Sequence, residues 1–336
     1  MFAAYTGLKN AQKVKEFLVK KKNLHQDFIP VKVFDFIYFP MDKKMKVPNA
    51  KTVLPKFSFP ARQKVVNAEE LLQKKLTHKQ LKLLPRTKEI VGDILILEIP
   101  EALQKKEKLI AEAYLEQHNN IKTVVKKLKI HSGTYRTRKV KILAGKRSKE
   151  TLHHENGVRM KVHLENMYFS ARLGNERLRV AKQVKKNEDV LVMFSGAAPY
   201  PLVIAKHAPV SSIYAIEMNP LAHLSALNNV SLNKLDSKIK VLEGDVLHLM
   251  PKMRKKFDRI VLPLPKTGDD YLGLALKKAK KGAFIHLYTF LREEDIEQEA
   301  KKIKELSNNS VKVLRKVKCG QFSPGMFRVC FDLKVK

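Results

Sequence analysis

The stretch Asp189-Val-Leu-Val-Met-Phe-Ser-Gly-Ala-Ala-Pro-Tyr200, continued by Ser212-Ile-Tyr-Ala-Ile-Glu217, decides the fold. An apolar run of strand length ends at Phe194 and gives way to Ser195-Gly196-Ala197-Ala198. A helical run follows from about Pro199 to His207, and a second apolar strand closes on the acid Glu217. This is a β-α-β unit with small residues in its first turn and a carboxylate ending its second strand. Small residues let backbone N–H groups approach a ligand, and a strand-end carboxylate accepts from ribose hydroxyls, so a nucleoside suits the unit. No Gly-x-Gly-x-x-Gly is present, which disfavours a dinucleotide. Standing alone, the same residues also fit an ordinary α/β turn with a surface glutamate.

Downstream the alternation continues. Strands are expected near 189–194, 212–217, 239–244, 257–262, 283–289, 310–317 and 327–334, with helices near 174–186, 199–207, 219–233, 268–281 and 292–306. Only Gly320 to Gly325 joins the last two strands, which leaves no room for a helix, so they must pair antiparallel. A mostly parallel sheet closed by one antiparallel hairpin, with a ligand turn after its first strand, is the α/β, Rossmann-like architecture of class I methyltransferases. In that fold S-adenosylmethionine lies across the carboxyl ends of the first strands. Asp245, in Glu243-Gly244-Asp245-Val246, is then placed to receive the adenine amino group, and equally to cap the helix that follows.

Two smaller α+β regions precede this domain, which spans 164–336. Residues 1–47 read as a small unit: Val14, Phe17 and Leu18 suit an amphipathic helix over 10–22, and 31–39 reads as a strand stopped by Pro40. Residues 48–60, with Pro48, Pro55 and Pro60 among lysines, read as a linker. Residues 61–163 read as a basic domain with helical spacing over 68–82 and 101–118 and a buried strand over 93–99.

The 67 Lys and Arg against 33 acids give a formal charge of +34. Such a surplus repels itself unless a polyanion neutralises it, and nucleic acid is the common one. A lysine-rich composition alone would also raise the total, so the distribution matters more than the sum. From Lys122 to Lys149 there are eleven Lys or Arg and no acid, with Tyr135-Arg136-Thr137-Arg138 in the middle. Arg136, Arg138, Lys139, Lys141, Lys146 and Arg147 are therefore candidate RNA contacts. No familiar DNA-reading helix or arm is visible. The 44% apolar residues support a real core, no run reaches the length of a membrane span, and the N-terminus lacks a signal-type segment. Two cysteines, Cys319 and Cys330, make neither a disulfide framework nor a zinc site, so a reducing cytosol and no metal are expected. One chain with RNA-binding and catalytic parts makes a monomer sufficient.

Tyr168-Phe-Ser-Ala-Arg-Leu-Gly-Asn-Glu-Arg177 resembles the Tyr-Phe-Ser-Pro-Arg-Leu-x-x-Glu-Arg segment of archaeal and eukaryotic tRNA guanine-N1 methyltransferases, which act at tRNA position 37 beside the anticodon. The likeness extends over nearly the whole chain, through His153-His154-Glu155-Asn156-Gly157, the Tyr135–Arg138 stretch and the small basic N-terminal unit. The resemblance implies S-adenosylmethionine as cofactor and tRNA as partner, through the anticodon stem-loop and the elbow. It implies that Glu176 takes the N1 proton of guanine and that Arg136 holds O6. It places Tyr168 and Arg172 beside the methionine end of the cofactor. It also places Phe194, Glu217 and Asp245 at strand ends against the nucleoside, with Ser195, Gly196, Met218, Val246 and Pro263 completing that surface.

The sequence departs from the family pattern at three places. An acid is usual where Val192 stands, and a glycine is common where Ala198 stands. Asn-Leu-Pro usually ends the fourth strand, where this chain has Leu262-Pro263-Leu264-Pro265. Proline donates from neither side chain nor backbone nitrogen. Two other readings therefore stay open: transfer of the cofactor's aminocarboxypropyl arm in wyosine synthesis at the same position, or a non-catalytic tRNA-binding relative. A nicotinamide enzyme is disfavoured by the first turn.

Overall fold

The computed structural model describes residues 1–62, 67–132, 135–263 and 268–336, with side chains described for all of these except 129–132 and 268–270. They fall into two units, Met1–Asn67 and Ala68–Lys336. The first contains β1 (Phe2–Gly7), α1 (Ala11–Lys20), β2 (Val31–Val33), β3 (Phe36–Met41) and β4 (Lys51–Val53). Its sheet runs β2-β3-β1-β4 with every pair antiparallel. Val14 and Leu18, one turn apart on α1, are buried with Ala4, Phe39 and Met41. The single strand expected over 31–39 is a hairpin, because Phe34 takes a left-handed φ of 49° and reverses the chain. Within the stretch expected as a linker, β4 pairs with the edge of β1, and just beyond it Ala61, expected to open the next domain, bridges back to Phe28.

The second unit begins with α2 (Ala68–Leu72), α3 (His78–Lys82), β5 (Lys88–Val91), β6 (Ile94–Leu97), α4 (Glu107–Gln117), β7 (Thr123–Ser132) and β8 (Thr137–Gly145). The sheet order is β5-β6-β7-β8, with β6 and β7 parallel and α4 lying between them in sequence. The one helix expected over 68–82 is two, since Thr77 accepts from the Gln80 N–H and starts a new helix with a capping box.

A hairpin that the sequence reading did not foresee follows, β9 (Glu150–Glu155) and β10 (Val158–His163). Val158, Met160 and Val162 alternate inward and bury in the same core as Val190 and Val192. Beyond it come α5 (Gly174–Ala181), β11 (Asp189–Val192), α6 (Pro199–His207), β12 (Ser212–Glu217), α7 (Pro220–Leu232), β13 (Ile239–Glu243) and α8 (Val246–Lys252). The chain finishes with β14 (Phe257–Leu262), α9 (Gly268–Lys278), β15 (Ala279–Arg292), α10 (Ile296–Leu306), β16 (Val311–Ser323) and β17 (Met326–Val335).

These strands form a seven-stranded sheet in the order β13-β12-β11-β14-β15-β17-β16. Only β17 runs against the rest, antiparallel to both β15 and β16. The chain winds outward from β11 to β13, then returns to place β14 on the other side of β11. That reversal opens a crevice beyond the carboxyl ends of β11 and β14, where ligands of such sheets bind. On α7, the Asn229 amide accepts from the Lys161 N–H at 2.7 Å and donates to the carbonyls of Lys161 and Ala197. One buried amide thus ties the β9–β10 hairpin to the turn that floors the crevice.

Candidate active site at the head of the parallel sheet

The turn after β11 is built by alternating left-handed residues: Phe194 at φ 53°, Gly196 at 57° and Ala198 at 65°. A left-handed alanine costs about 1–2 kcal/mol. The turn is held by Ser195 N–H donating to the Ile216 carbonyl at 2.9 Å and Gly196 N–H donating to Glu217 at 2.7 Å. A Cβ on Gly196 would stand 3.5 Å from the Tyr168 carbonyl, so Tyr168 packs beside the turn. The Ser195 hydroxyl oxygen is buried and makes no hydrogen bond among the described residues. A buried polar atom without a protein partner is one that a bound ligand or water can satisfy.

Glu217 closes β12 as expected. Burial raises its carboxyl above the ordinary value, against the pull of the Asn219 and Gly196 N–H groups. Met218 beside it is exposed, whereas Val246 is buried. Asp245 caps α8, accepting from the Leu247 N–H at 2.9 Å. The Phe194 ring meets Tyr271 edge to face with centroids 4.9 Å apart. Pro263 follows the end of β14, half-buried, while Leu264 and Pro265 lie outside the described residues. The strand-end acids, the small turn and the orphan hydroxyl fit a polar nucleoside cofactor such as S-adenosylmethionine.

The head of α5 is fixed by the His153–Gly157 turn. Asn156 and Gly157, at φ 46° and 74°, reverse the chain between β9 and β10, and the Asn156 amide donates to the Gly174 carbonyl at 2.8 Å. A Cβ at Gly174 would meet the Glu155 carboxyl carbon at 3.2 Å, so the glycine lets the turn close on the helix. Arg177 clasps Glu155 with Nε at 2.6 Å and with Nη2. Burial would raise the Glu155 carboxyl, but Arg177 and His153 hold it below its ordinary value.

Glu176, the third residue of α5, is therefore aimed by a rigid frame. It is 4% exposed. Its Oε1 accepts from Arg179 Nη2 at 2.8 Å and from the Tyr288 hydroxyl at 2.6 Å, and its Oε2 accepts from Arg179 Nε at 2.7 Å. Each carboxylate oxygen takes two hydrogen bonds, so among the described residues acceptor capacity is left on Oε2. Arg179 also grips Asp332, whose Oδ1 accepts from His286 Nδ1 at 2.7 Å. Arg259 Nη1 lies 2.7 Å from His286 Nε2, so that nitrogen is the acceptor and Nδ1 carries the proton. Burial would raise Asp332, but His286 and Arg179 hold it far below the usual carboxylate range. The ligand-type atoms of His286, Cys330 and Asp332 lie within 4.8 Å of one another. Two guanidiniums border this group and its hydrogen bonds are committed, an arrangement hostile to a cation.

The structure brings Arg136, in the turn between β7 and β8, to the same mouth. Burial lowers its guanidinium from the ordinary value, Tyr168 and Tyr271 oppose that, and Arg328 adds to it. Arg172 is exposed on the turn before α5, where its charge helps hold Glu89 low. The acid-free run of 122–149 is partly neutralised from elsewhere in the fold. Arg138 is 4% exposed and holds Glu89 at 3.0 Å, while Lys126 and Lys141 both reach Glu107, the latter at 2.7 Å. Lys139, Lys146 and Arg147 are exposed. Arg179, Tyr288, Asp332 and Arg328 were not singled out as site residues in the sequence. The one local signal was the Glu176–Arg179 spacing on a single helix face.

Sheet order, switch-point crevice and strand-end acids together define a class I, S-adenosylmethionine-type methyltransferase domain. The family model described as the TRM5/TYW2 methyltransferase domain matches residues 151–314, and the TYW2 N-terminal domain matches residues 68–148. The chain is 33% identical over 310 residues to the tRNA (guanine(37)-N(1))-methyltransferase Trm5b of Pyrococcus abyssi, covering 91% of this chain and 86% of that protein. It is 31% identical to the tRNA(Phe) (4-demethylwyosine(37)-C(7)) aminocarboxypropyltransferase of Pyrococcus horikoshii, over 79% of this chain and 95% of that one. The crystal structure of wild-type Trm5b from Pyrococcus abyssi superposes with a TM-score of 0.74 at 30% identity, covering 100% of this chain and 99% of the other. A complex of aTrm5 with tRNALeu gives 0.72 at 26% identity, covering 100% of each. The chain belongs to the TRM5/TYW2 methyltransferase family.

Proposed function

We infer that this chain transfers a methyl group from S-adenosylmethionine to N1 of guanine 37 in tRNA. The observation that carries the residue roles is the acceptor capacity left on Glu176 Oε2, on a carboxylate otherwise fixed by Arg179 and Tyr288. Guanine N1 holds a proton at neutral pH and is a poor nucleophile. A carboxylate within reach removes that proton, and we assign the step to Glu176. Charge then moves onto O6, where Arg136 is assigned to stabilise it.

S-adenosylmethionine supplies an electrophilic methyl group on a sulfonium. Ser195, Gly196, Glu217, Met218, Asp245 and Val246 are assigned to its nucleoside part, with Phe194 and Pro263 as walls and Tyr168 and Arg172 toward its methionine end. The guanine must leave the anticodon-loop stack at a cost of a few kcal/mol. Exposed Lys139, Lys146 and Arg147 are assigned to the phosphate contacts that offset it. We place the small N-terminal unit on the tRNA elbow, and the protein in the cytoplasm as a monomer.

One observation favours a second reading. Pro263 stands where relatives of the guanine enzymes commonly carry an amide, and an aminocarboxypropyltransferase is among the similar proteins. That arm is delivered to a ring carbon and needs no N1 proton removed, which leaves Glu176 without a task. The test is incubation of transcribed tRNA carrying guanine or adenine at position 37, followed by mass analysis of the nucleosides. One added methyl on the guanine tRNA and none on the adenine tRNA supports methyl transfer. Addition of the larger arm, or no product with cofactor bound, overturns it.

A further inference from the structure

Among the described residues the buried arginines are neutralised, with one exception. Arg138, Arg177 and Arg259 each set the guanidinium on a carboxylate, Glu89, Glu155 and Glu188 respectively. Arg328 is 8% exposed, and among the described residues no carboxylate lies within ion-pair distance of it. Its Nη2 donates to the Tyr168 hydroxyl at 2.8 Å, and its guanidinium lies 5.2 Å from the centroid of the Phe290 ring. Phe290 in turn packs against Phe322, centroids 4.1 Å apart. Taking a cation out of water without a counter-charge is costly, and an aromatic face with one phenol returns only part of that. A guanidinium kept in such a place is one whose counter-charge arrives from outside the chain.

The register says where that charge would sit. On the antiparallel pair β15–β17, Arg328 lies opposite Phe290, two residues along from the Tyr288–Cys330 pair. Positions two apart share a face, so Arg328 stands one side-chain step beyond the Tyr288 that donates to Glu176, toward the carboxyl end of β15. Burial, followed by the charge of Glu176, pushes the Cys319 thiol up to about 12, while Arg328 pulls it down, so both groups neighbour the same sulfur. Arg136 feels Arg328 and Tyr168 together. Both guanidiniums thus stand by Tyr168, and Arg328 shares the surroundings of Cys319 with Glu176.

Guanine presents N1–H and O6 side by side, so a base at N1 and cations at O6 match that edge. Adenine would turn an amino group toward the guanidiniums, donor against donor. The aromatic walls suit a flat base better than a phosphate. We propose that Arg328 is a second guanidinium of the purine pocket, donating to O6 of the target guanine beside Arg136. This rests on the proposed methyl transfer to N1.

The test compares the full-length protein with Arg328→Met and Arg328→Lys in single-turnover methylation of guanine-37 tRNA across pH, with cofactor and tRNA affinities measured separately. Loss of one such donor is expected to slow the methionine variant by about 10²–10³ near neutral pH with both affinities kept, as for an oxyanion-hole donor. The deficit should shrink as pH rises, because an N1 already deprotonated in solution needs less help at O6. The lysine variant, keeping the charge, should recover part of the rate, and it carries the test if the methionine variant loses its fold. An unchanged rate, a deficit constant with pH, or weaker cofactor or tRNA binding at an unchanged rate overturns the proposal. Wild-type protein that makes no methylated guanine refutes the proposed function instead, so the two failures are told apart.

Discussion

Arg179 holds Glu176 by both oxygens, Nε to Oε2 at 2.7 Å and Nη2 to Oε1 at 2.8 Å, while its Nη1 reaches Asp332 at 2.6 Å. One guanidinium therefore stands between two buried carboxylates that would otherwise face each other. The side chain is 22% exposed, so solvent screens the pair only in part. Glu176 owes its fixed direction to this bridge and to Tyr288.

Removing the bridge leaves uncompensated charge, which typically costs about 3–5 kcal/mol. Arg179→Met should lower the melting temperature strongly. Adding Asp332→Asn should restore part of the loss, so the double variant falls short of the sum of the singles. Thermal melts of the four proteins decide this, and strict additivity would mean that Arg179 couples nothing.

The buried imidazole predicts a pH dependence. Burial depresses His286, Asp332 opposes that, and Arg259 assists it, leaving a neutral ring in the fold. Its unfolded value is about 6.5, so below that pH the unfolded chain binds more protons than the native one. Stability should therefore fall as pH drops through about 6.5, with a slope of at most about 1.4 kcal/mol per pH unit from this group. His118 and His163 are depressed by burial in the same sense. His286→Gln should flatten the slope without abolishing it. Melting curves between neutral and mildly acid pH check this, and an unchanged slope removes His286 from the account.

The basic domain predicts a contrast between two kinds of cation. Arg138→Ala removes the main partner of the buried Glu89, leaving it Lys127 at 3.6 Å. It should cost less than the ~3–5 kcal/mol of a fully broken buried pair while still lowering the melting temperature. Lys146→Ala and Arg147→Ala should leave the melt alone, weaken tRNA binding, and reduce its salt slope by about 1 for each phosphate no longer neutralised. Binding titrations over a range of salt concentrations test this, and a flat salt response would leave the exposed lysines without a role.

The parallel sheet was legible because each strand is a short apolar run bounded by turn residues, and Gly320–Gly325 forced the antiparallel closure. The β9–β10 hairpin was hidden by its alternation with His, Glu and Lys, which reads as surface until Val158, Met160 and Val162 are seen buried. The break between α2 and α3 was written in Thr77 and Gln80, a capping pair that continuous helical spacing obscured. Turn reversal at Phe34 had no such sign. At the site, Glu176, Glu217 and Asp245 sit at element ends, where sequence position alone announces them. Asp332 is 153 residues from its partner Arg179, and Arg328 is 160 from Tyr168. Such pairs exist only once the sheet closes. Arg138 shows the opposite error, a residue read as an RNA contact that the fold uses as a buried counter-ion.

The most direct test is the single-turnover rate of methyl transfer to guanine 37 by Glu176→Gln, taken together with its tRNA affinity. The amide keeps the shape of the carboxylate but cannot accept the N1 proton. The rate should fall by about 10²–10⁴, the usual contribution of a general base, while tRNA binding is retained. An undiminished rate, or a loss of binding that matches the loss of rate, would contradict Glu176 as the group that makes N1 a nucleophile.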